Sequence, residues 1–179
     1  MTRNTNTLTK IALMAALLCI ISPFAVVFPF SPVPISLATL MLYLSVYILN
    51  KKHAVISCGI YLLIGLVGIP VFSGFTGGIG KVLGPTGGYL IGYLTLVFIS
   101  GWFIEKWTGS IMQGVGMAVG TAVCYLIGSL WLSYQAGIEF SVALSIGTLP
   151  FIPGDIVKII AGVIIGTAMR KRLVKVGMM

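Results

Sequence analysis

The sequence predicts an all-α integral membrane protein, a single membrane domain over residues 1–179. Its expected form is a six-transmembrane-helix bundle with both termini cytoplasmic and Gly/Pro-rich extracellular loops capping a ligand cavity. Three observations predict this. First, 58% of the residues are hydrophobic and 8% are charged, against about 25% charged in a soluble domain. Second, the apolar residues come in continuous runs rather than in the alternation of membrane strands. Third, the basic residues recur where a six-helix chain returns to one face of the bilayer.

A helix needs about 20 apolar residues to cross a bilayer, and six stretches qualify as candidates. The first covers 7–27, with Arg3 before it and Lys10 near its start. It resembles a signal peptide, but the apolar run continues to Phe30, and Leu18 before Cys19 is not the small residue of a lipoprotein cleavage site. The second and third, 35–49 and 54–69, are short, so they are tilted, irregular or continued by loops. The fourth, 86–103, opens with Gly84-Pro85-Thr86-Gly87-Gly88-Tyr89. Thr86 suits a helix cap, and Gly88 and Gly92 have the small-xxx-small spacing of close helix packing. The segment is no phosphate loop, because no Gly-Lys-Ser/Thr follows. The fifth, 111–134, carries Gly116, Gly120, Cys124 and Gly128 on one packing face. The sixth, 155–169, starts after Pro153-Gly154.

With six crossings both termini share a side. Arg3, Lys10, Lys51, Lys52, Lys106, Arg170, Lys171, Arg172 and Lys175 fall on that side, and only Lys81 and Lys158 lie opposite. The positive-inside rule makes the first side cytoplasmic. The net charge of +8 is too small and too scattered for the stripe that tracks nucleic-acid phosphates. The outer connections are FPFSPVP, PVFSGFTGGIGKVLGPTGG and the stretch 135–153. Val71, Phe72, Phe75, Ile79 and Val82 interleave with the glycines of the second, which predicts a packed cap and places the working side outside. Cys19, Cys58 and Cys124 lie in apolar runs without metal-ligand spacing and read as small buried hydrophobes.

Few residues offer chemistry. Asp155 and Lys158, at i and i+3, share a helix face that continues through Gly162 and Gly166, so it looks into the bundle. Ionisable groups within a membrane helix are costly and point to function. A carboxylate at a helix N-terminus paired with a lysine one turn on is also simple helix-start stabilisation, and the residues alone leave both readings open. Tyr89 and Tyr93, one turn apart, form either an interfacial aromatic belt or one wall of a cavity. Lys81 is either a solvated loop lysine or a cation for an anionic ligand tail. His53 belongs to a basic turn. No catalytic triad, metal cluster, nucleotide motif or proton path is visible.

FSPVPISLATL, GLVGIPVFSGFTGGIGKVLGPTGGYLIGY and PFIPGDIVK, in that order across nearly the whole chain, resemble the BioY family. These are the biotin-binding S components of energy-coupling factor transporters. The resemblance implies a six-helix bundle in the bacterial cytoplasmic membrane that captures biotin outside, with no cofactor and no metal. It implies partnership with a transmembrane T component and two cytoplasmic ATPases. It also implies that Asp155 accepts from a ureido N–H and that Lys158 donates to a ligand oxygen. Tyr89, Tyr93 and Phe72 or Val71 then lie against the fused ring and chain, with Gly87 beside them, and Lys81 meets the carboxylate. Many relatives carry Gln or Asn just after PxPI in helix two. Here the stretch is Ser36-Leu37-Ala38-Thr39, so Ser36 or Thr39 takes that role. S components commonly dock on the T component through an AxxxA face of helix one, and Ala12 and Ala16 match that spacing.

Three functions compete at this point. The first is a biotin-binding transport subunit, with an S component for a different vitamin as its variant. The second is a membrane-embedded enzyme using Asp155 as acid or base on an apolar substrate, against which the missing second catalytic group counts. The third is an assembly subunit without a ligand.

Overall fold

The computed structural model describes residues 2–26 and 35–175. Six helices of eleven or more residues occur among them: α1 (Thr2–Ile21), α2 (Ala38–Ile48), α3 (Lys51–Leu66), α5 (Gly87–Lys106), α6 (Ser110–Ala136) and α8 (Ile152–Lys175). Two shorter helices, α4 (Ile79–Leu83) and α7 (Phe140–Gly147), and a 3-10 turn at Leu149–Phe151 lie in the connections. A two-residue antiparallel ribbon pairs β1 (Ala25–Val26) with β2 (Ile35–Ser36). Among the described residues, three stretches are long and apolar enough to cross a membrane: α5, α6 and the run Phe140–Lys175. The FPFSPVP segment, the Pro-rich part of FSPVPISLATL and the expected end of the first helix at Val27 lie outside the described residues.

Helix α2 is the hub. It packs on α1, α3, α5 and α8 and buries Ala38, Met41, Leu42, Tyr43, Ser45, Val46 and Tyr47, as a helix apolar on all sides should. The closest partnership is α5 with α6, and glycines make it possible. A Cβ on Gly92 would stand 2.8 Å from the Cys124 sulfur, and one on Gly128 would stand 2.2 Å from the Tyr89 ring. Gly88 lies against Trp131, and Gly116 against Phe103. The predicted small-residue face of α6 therefore is a packing face. On the outer surface of α6, Ile111, Val115, Val119, Leu126 and Leu130 are exposed, as are Ile156, Val157, Ile160 and Ile164 of α8. Apolar area on this scale needs a cover.

The helix limits depart from expectation for local reasons. Helix α1 ends at Ile21 because Pro23 follows and disfavours helical geometry in the residue before it. Helix α2 begins at Ala38 rather than 35, since Ser36 belongs to the ribbon. Ser36 Oγ accepts from the Ala38 N–H (3.0 Å) and donates to the Ser22 carbonyl (2.7 Å). Helix α3 starts at Lys51, three residues early, because the Asn50 side chain caps the His53 N–H at 2.9 Å. Lys51 and Lys52 thus form a helix start rather than a loop. Helix α8 starts at Ile152, since Pro153 is tolerated in a first turn. Thr86 occupies the cap position of α5, but its side chain makes no capping bond.

The connection between α3 and α5 is folded. Phe72 and Thr76 form a β-bridge, the Gly74 N–H donates to the Pro23 carbonyl at 2.9 Å, and Phe75 packs edge-on against Phe24. Stretch 135–153 is likewise ordered, carrying α7 and the 3-10 turn.

Candidate ligand-binding site

A small cavity of about 40 Å³ opens among α2, α5, α6 and α8, lined by Ser36, Thr39, Tyr89, Tyr93, Leu96, Thr121, Cys124, Tyr125, Gly147, Phe151, Asp155 and Lys158. That volume is well below the ordinary range for small-molecule pockets, so a vitamin-sized ligand enters only as the lining side chains move apart. One wall is aromatic and apolar; the other is the ion pair.

The ion pair stands in the first turns of α8, where Gly162 and Gly166 let α2 approach. Tyr43 lies over Gly162 and Tyr47 over Gly166. This brings the N-terminal end of α2 against Asp155 and Lys158, both buried. Lys158 Nζ donates to Asp155 Oδ1 at 2.9 Å, to the Ser36 carbonyl at 2.7 Å and to Thr39 Oγ1 at 3.2 Å. The Thr39 hydroxyl donates to Asp155 Oδ1 at 3.4 Å. From α6, the Tyr125 hydroxyl donates to Asp155 Oδ2. A buried ion pair is tolerated where such additional bonds complete it, and this one ties α2, α6 and α8 together.

Tyr89 and Tyr93 project from α5. The Tyr89 ring is fixed between Gly128 and Gly147, and its hydroxyl lies 3.2 Å from Ser129 Oγ, which in turn meets Thr148 Oγ1 at 3.0 Å. Tyr93 differs. Its hydroxyl has no hydrogen-bond partner among the described residues, whereas those of Tyr43, Tyr47, Tyr61, Tyr89 and Tyr125 all have one. Both rings also line a second, smaller hollow of about 20 Å³, with Phe72, Ser73, Lys81, Thr86 and Leu90. Lys81 sits there on α4, and partial burial lowers its pKa below the usual lysine value.

The structure therefore gathers Asp155, Lys158, Thr39, Tyr89 and Tyr93 in one cavity. It sets Phe72 and Lys81 in the adjoining hollow, with the two tyrosines shared. Gly87 lines neither; a Cβ there would stand 1.7 Å from the Val82 carbonyl oxygen, so its smallness lets α4 fold back on α5. Ala12 and Ala16 lie exposed on α1. Sequence reasoning missed Tyr125, Thr121, Cys124, Leu96, Gly147 and Phe151. A signal for two of them existed: Gln113, Thr121 and Tyr125 are polar positions at helical spacing on one face of α6.

The BioY family pattern matches residues 1–175. The chain is 36% identical to Biotin transporter BioY2 of Lactococcus lactis subsp. cremoris over 93% of its own length and 91% of that protein's. It is 42% identical to the Probable biotin transporter BioY of Pyrococcus horikoshii, over 75% of this chain and 78% of the relative. A solved structure, the S-component for biotin from an ECF-type ABC transporter, superposes with a TM-score of 0.87 at 33% identity, covering 95% of this chain and 93% of the other. Agreement over the full bundle, and not in a motif alone, means that this chain belongs to the BioY family.

Proposed function

We propose that this chain is the substrate-binding membrane subunit of a biotin uptake transporter, not an enzyme. The observation that carries the reading is the buried Asp155–Lys158 pair, which forms one wall of a cavity whose other wall is Tyr89 and Tyr93. Biotin offers matching chemistry. Its ureido ring has two N–H donors and a carbonyl, its fused ring and chain are apolar, and its tail is a carboxylate. Asp155 accepts from a ureido N–H. Lys158 donates to the ureido oxygen, giving up its longest bond, the one to Thr39, while Thr39 stands where relatives often carry an amide. Tyr89, Tyr93 and Phe72 hold the rings and chain, and the chain passes the two tyrosines to reach Lys81. Gly87 shapes the wall from behind.

In this reading α1, α2, α3, α5, α6 and α8 cross the bacterial cytoplasmic membrane, and both termini are cytoplasmic. Helix α2, with 11 residues, is only about 16 Å long, half of a hydrocarbon core of about 30 Å. Its missing turns are supplied by the ribbon at 35–36, which is non-helical backbone lining a cavity inside protein, where a membrane fold tolerates it. Uphill transport needs an energy source, for which a T component and two cytoplasmic ATPases serve. Ala12 and Ala16, exposed on α1 near the basic edge, are the docking face.

Titrating detergent-purified protein with biotin, riboflavin and thiamine tests the reading. Biotin alone is expected to bind tightly, and preference for another vitamin refutes it.

A further inference from the structure

We propose that Tyr125 is the positioning residue of this site: its hydroxyl fixes the Asp155 carboxylate so that the cluster presents acceptors, and no spare donor, to the ligand. The inference rests on reading the cavity as the biotin site. It follows from counting hydrogen bonds. An ammonium has three N–H donors, and those of Lys158 go to the Ser36 carbonyl, Asp155 Oδ1 and Thr39 Oγ1. Thr39 has one O–H, directed to Asp155 Oδ1, and Tyr125 has one, directed to Asp155 Oδ2. Every donor of the three side chains is thus turned into the cluster.

The acceptors are not exhausted. A carboxylate oxygen accepts about two bonds. Oδ1 already has two donors and Oδ2 has one, so Oδ2 retains an acceptor site, on a side chain that lines the cavity. A ligand N–H finds this position vacant, whereas a ligand oxygen must displace an existing bond from Lys158. The cluster therefore selects for an edge that carries N–H donors. Tyr125 is what holds Oδ2 in place, because Lys158 and Thr39 both act on Oδ1. It reaches Asp155 from α6 while Thr39 and Lys158 approach from α2 and α8, so the carboxylate is gripped from two sides and its rotation is blocked.

The test is a double-mutant cycle on the full-length purified chain. Tyr125→Phe keeps the ring and removes only the hydroxyl. Loss of a hydrogen bond to a charged group predicts a drop in biotin affinity of about tenfold or more. In the Asp155→Asn background the same substitution should change affinity by less than about twofold, since a residue acting through another is silent once that partner is altered. Equal losses in both backgrounds overturn the proposal, because they mark a packing role. A second readout needs no ligand. Asp155 is the single aspartate of the chain, so ¹³Cγ-aspartate labelling gives one resonance. Tyr125→Phe should move it in the unliganded protein, and an unmoved resonance overturns the proposal whether or not biotin binds. Failure of the native protein to bind biotin strikes the functional reading instead, and the resonance still decides the Tyr125–Asp155 contact.

Discussion

Replacing Lys158 by Met removes the ammonium and keeps most of the stem. The Asp155–Lys158 separation is 2.9 Å, which at an effective dielectric constant of about 20 corresponds to roughly 6 kcal/mol of attraction. Desolvating each ion costs several kcal/mol, so the pair contributes little net stability. The single substitution is different, because it leaves the carboxylate charge buried without a counterion, with only the Tyr125 and Thr39 hydroxyls donating to it. It also leaves the Ser36 carbonyl without its 2.7 Å donor. Removing one partner of such a pair typically costs about 3–5 kcal/mol, a large share of the roughly 5–15 kcal/mol that holds a domain together. Lys158→Met should therefore lower the thermal unfolding midpoint in detergent markedly and abolish biotin binding. Asp155→Asn added to it removes the stranded charge and should restore much of the midpoint without restoring binding. A midpoint unchanged in the single variant, or equally depressed in the double variant, refutes the electrostatic reasoning and leaves only side-chain packing at this position.

Other expectations follow from the same geometry. Lys81→Ala should weaken biotin more than a biotin amide lacking the charge, and equal losses for both ligands refute the pairing with the carboxylate. Because partial burial already lowers the Lys81 pKa and a bound carboxylate raises it again, biotin affinity should be full while Lys81 is protonated in the free protein. It should fall as pH rises through the bound-state value, and the amide should show no such fall. Ala12→Trp and Ala16→Trp should leave biotin binding by the isolated chain intact but abolish co-purification with a T component and uptake in cells; joint loss of folding and binding points to internal packing instead. Gly166→Ala places a Cβ 2.1 Å from the Tyr47 ring, so overpacking should cost about 1–3 kcal/mol, read as a lowered unfolding midpoint.

What the sequence reveals and hides has a physical pattern. Asp155 and Lys158 are conspicuous because charge in an apolar run is expensive, and Tyr89 and Tyr93 because they sit one turn apart behind a glycine cluster. Tyr125 carries a fainter mark: it is one of three aromatic residues in a 27-residue apolar helix, in line with Gln113 and Thr121, and only the neighbouring helices decide that this side of α6 faces the cavity. Hydropathy does not see the ribbon that holds Ser36 and so overextends α2, while the early start of α3 is written in the capping residue Asn50. Stretch 135–153 reads as a loop because glycines and prolines interrupt it, yet α7 folds there against α6.

The short α2 and the buried lysine are two sides of one solution. Inside a bilayer a carbonyl without an N–H partner is costly, and a helix extended through residue 36 would have supplied one from its own backbone. Here the ribbon turns Ser36 out of the helical ladder, and Lys158 supplies the donor from α8 at 2.7 Å. The Ser36 hydroxyl meanwhile joins the Ser22 carbonyl to the Ala38 N–H, so the interruption leaves these groups matched. Breaking the helix at this depth is what lets α2 offer both a backbone oxygen and the Thr39 side chain to a charged pair on another helix. An uninterrupted α2 would keep its carbonyls to itself, and Lys158 would then lack the acceptor that completes its coordination in an apolar surrounding. The ion pair is thus paid for by an irregularity in its neighbour, and a substitution that favours helix at 35–37 should disturb the site as surely as one at Lys158 itself.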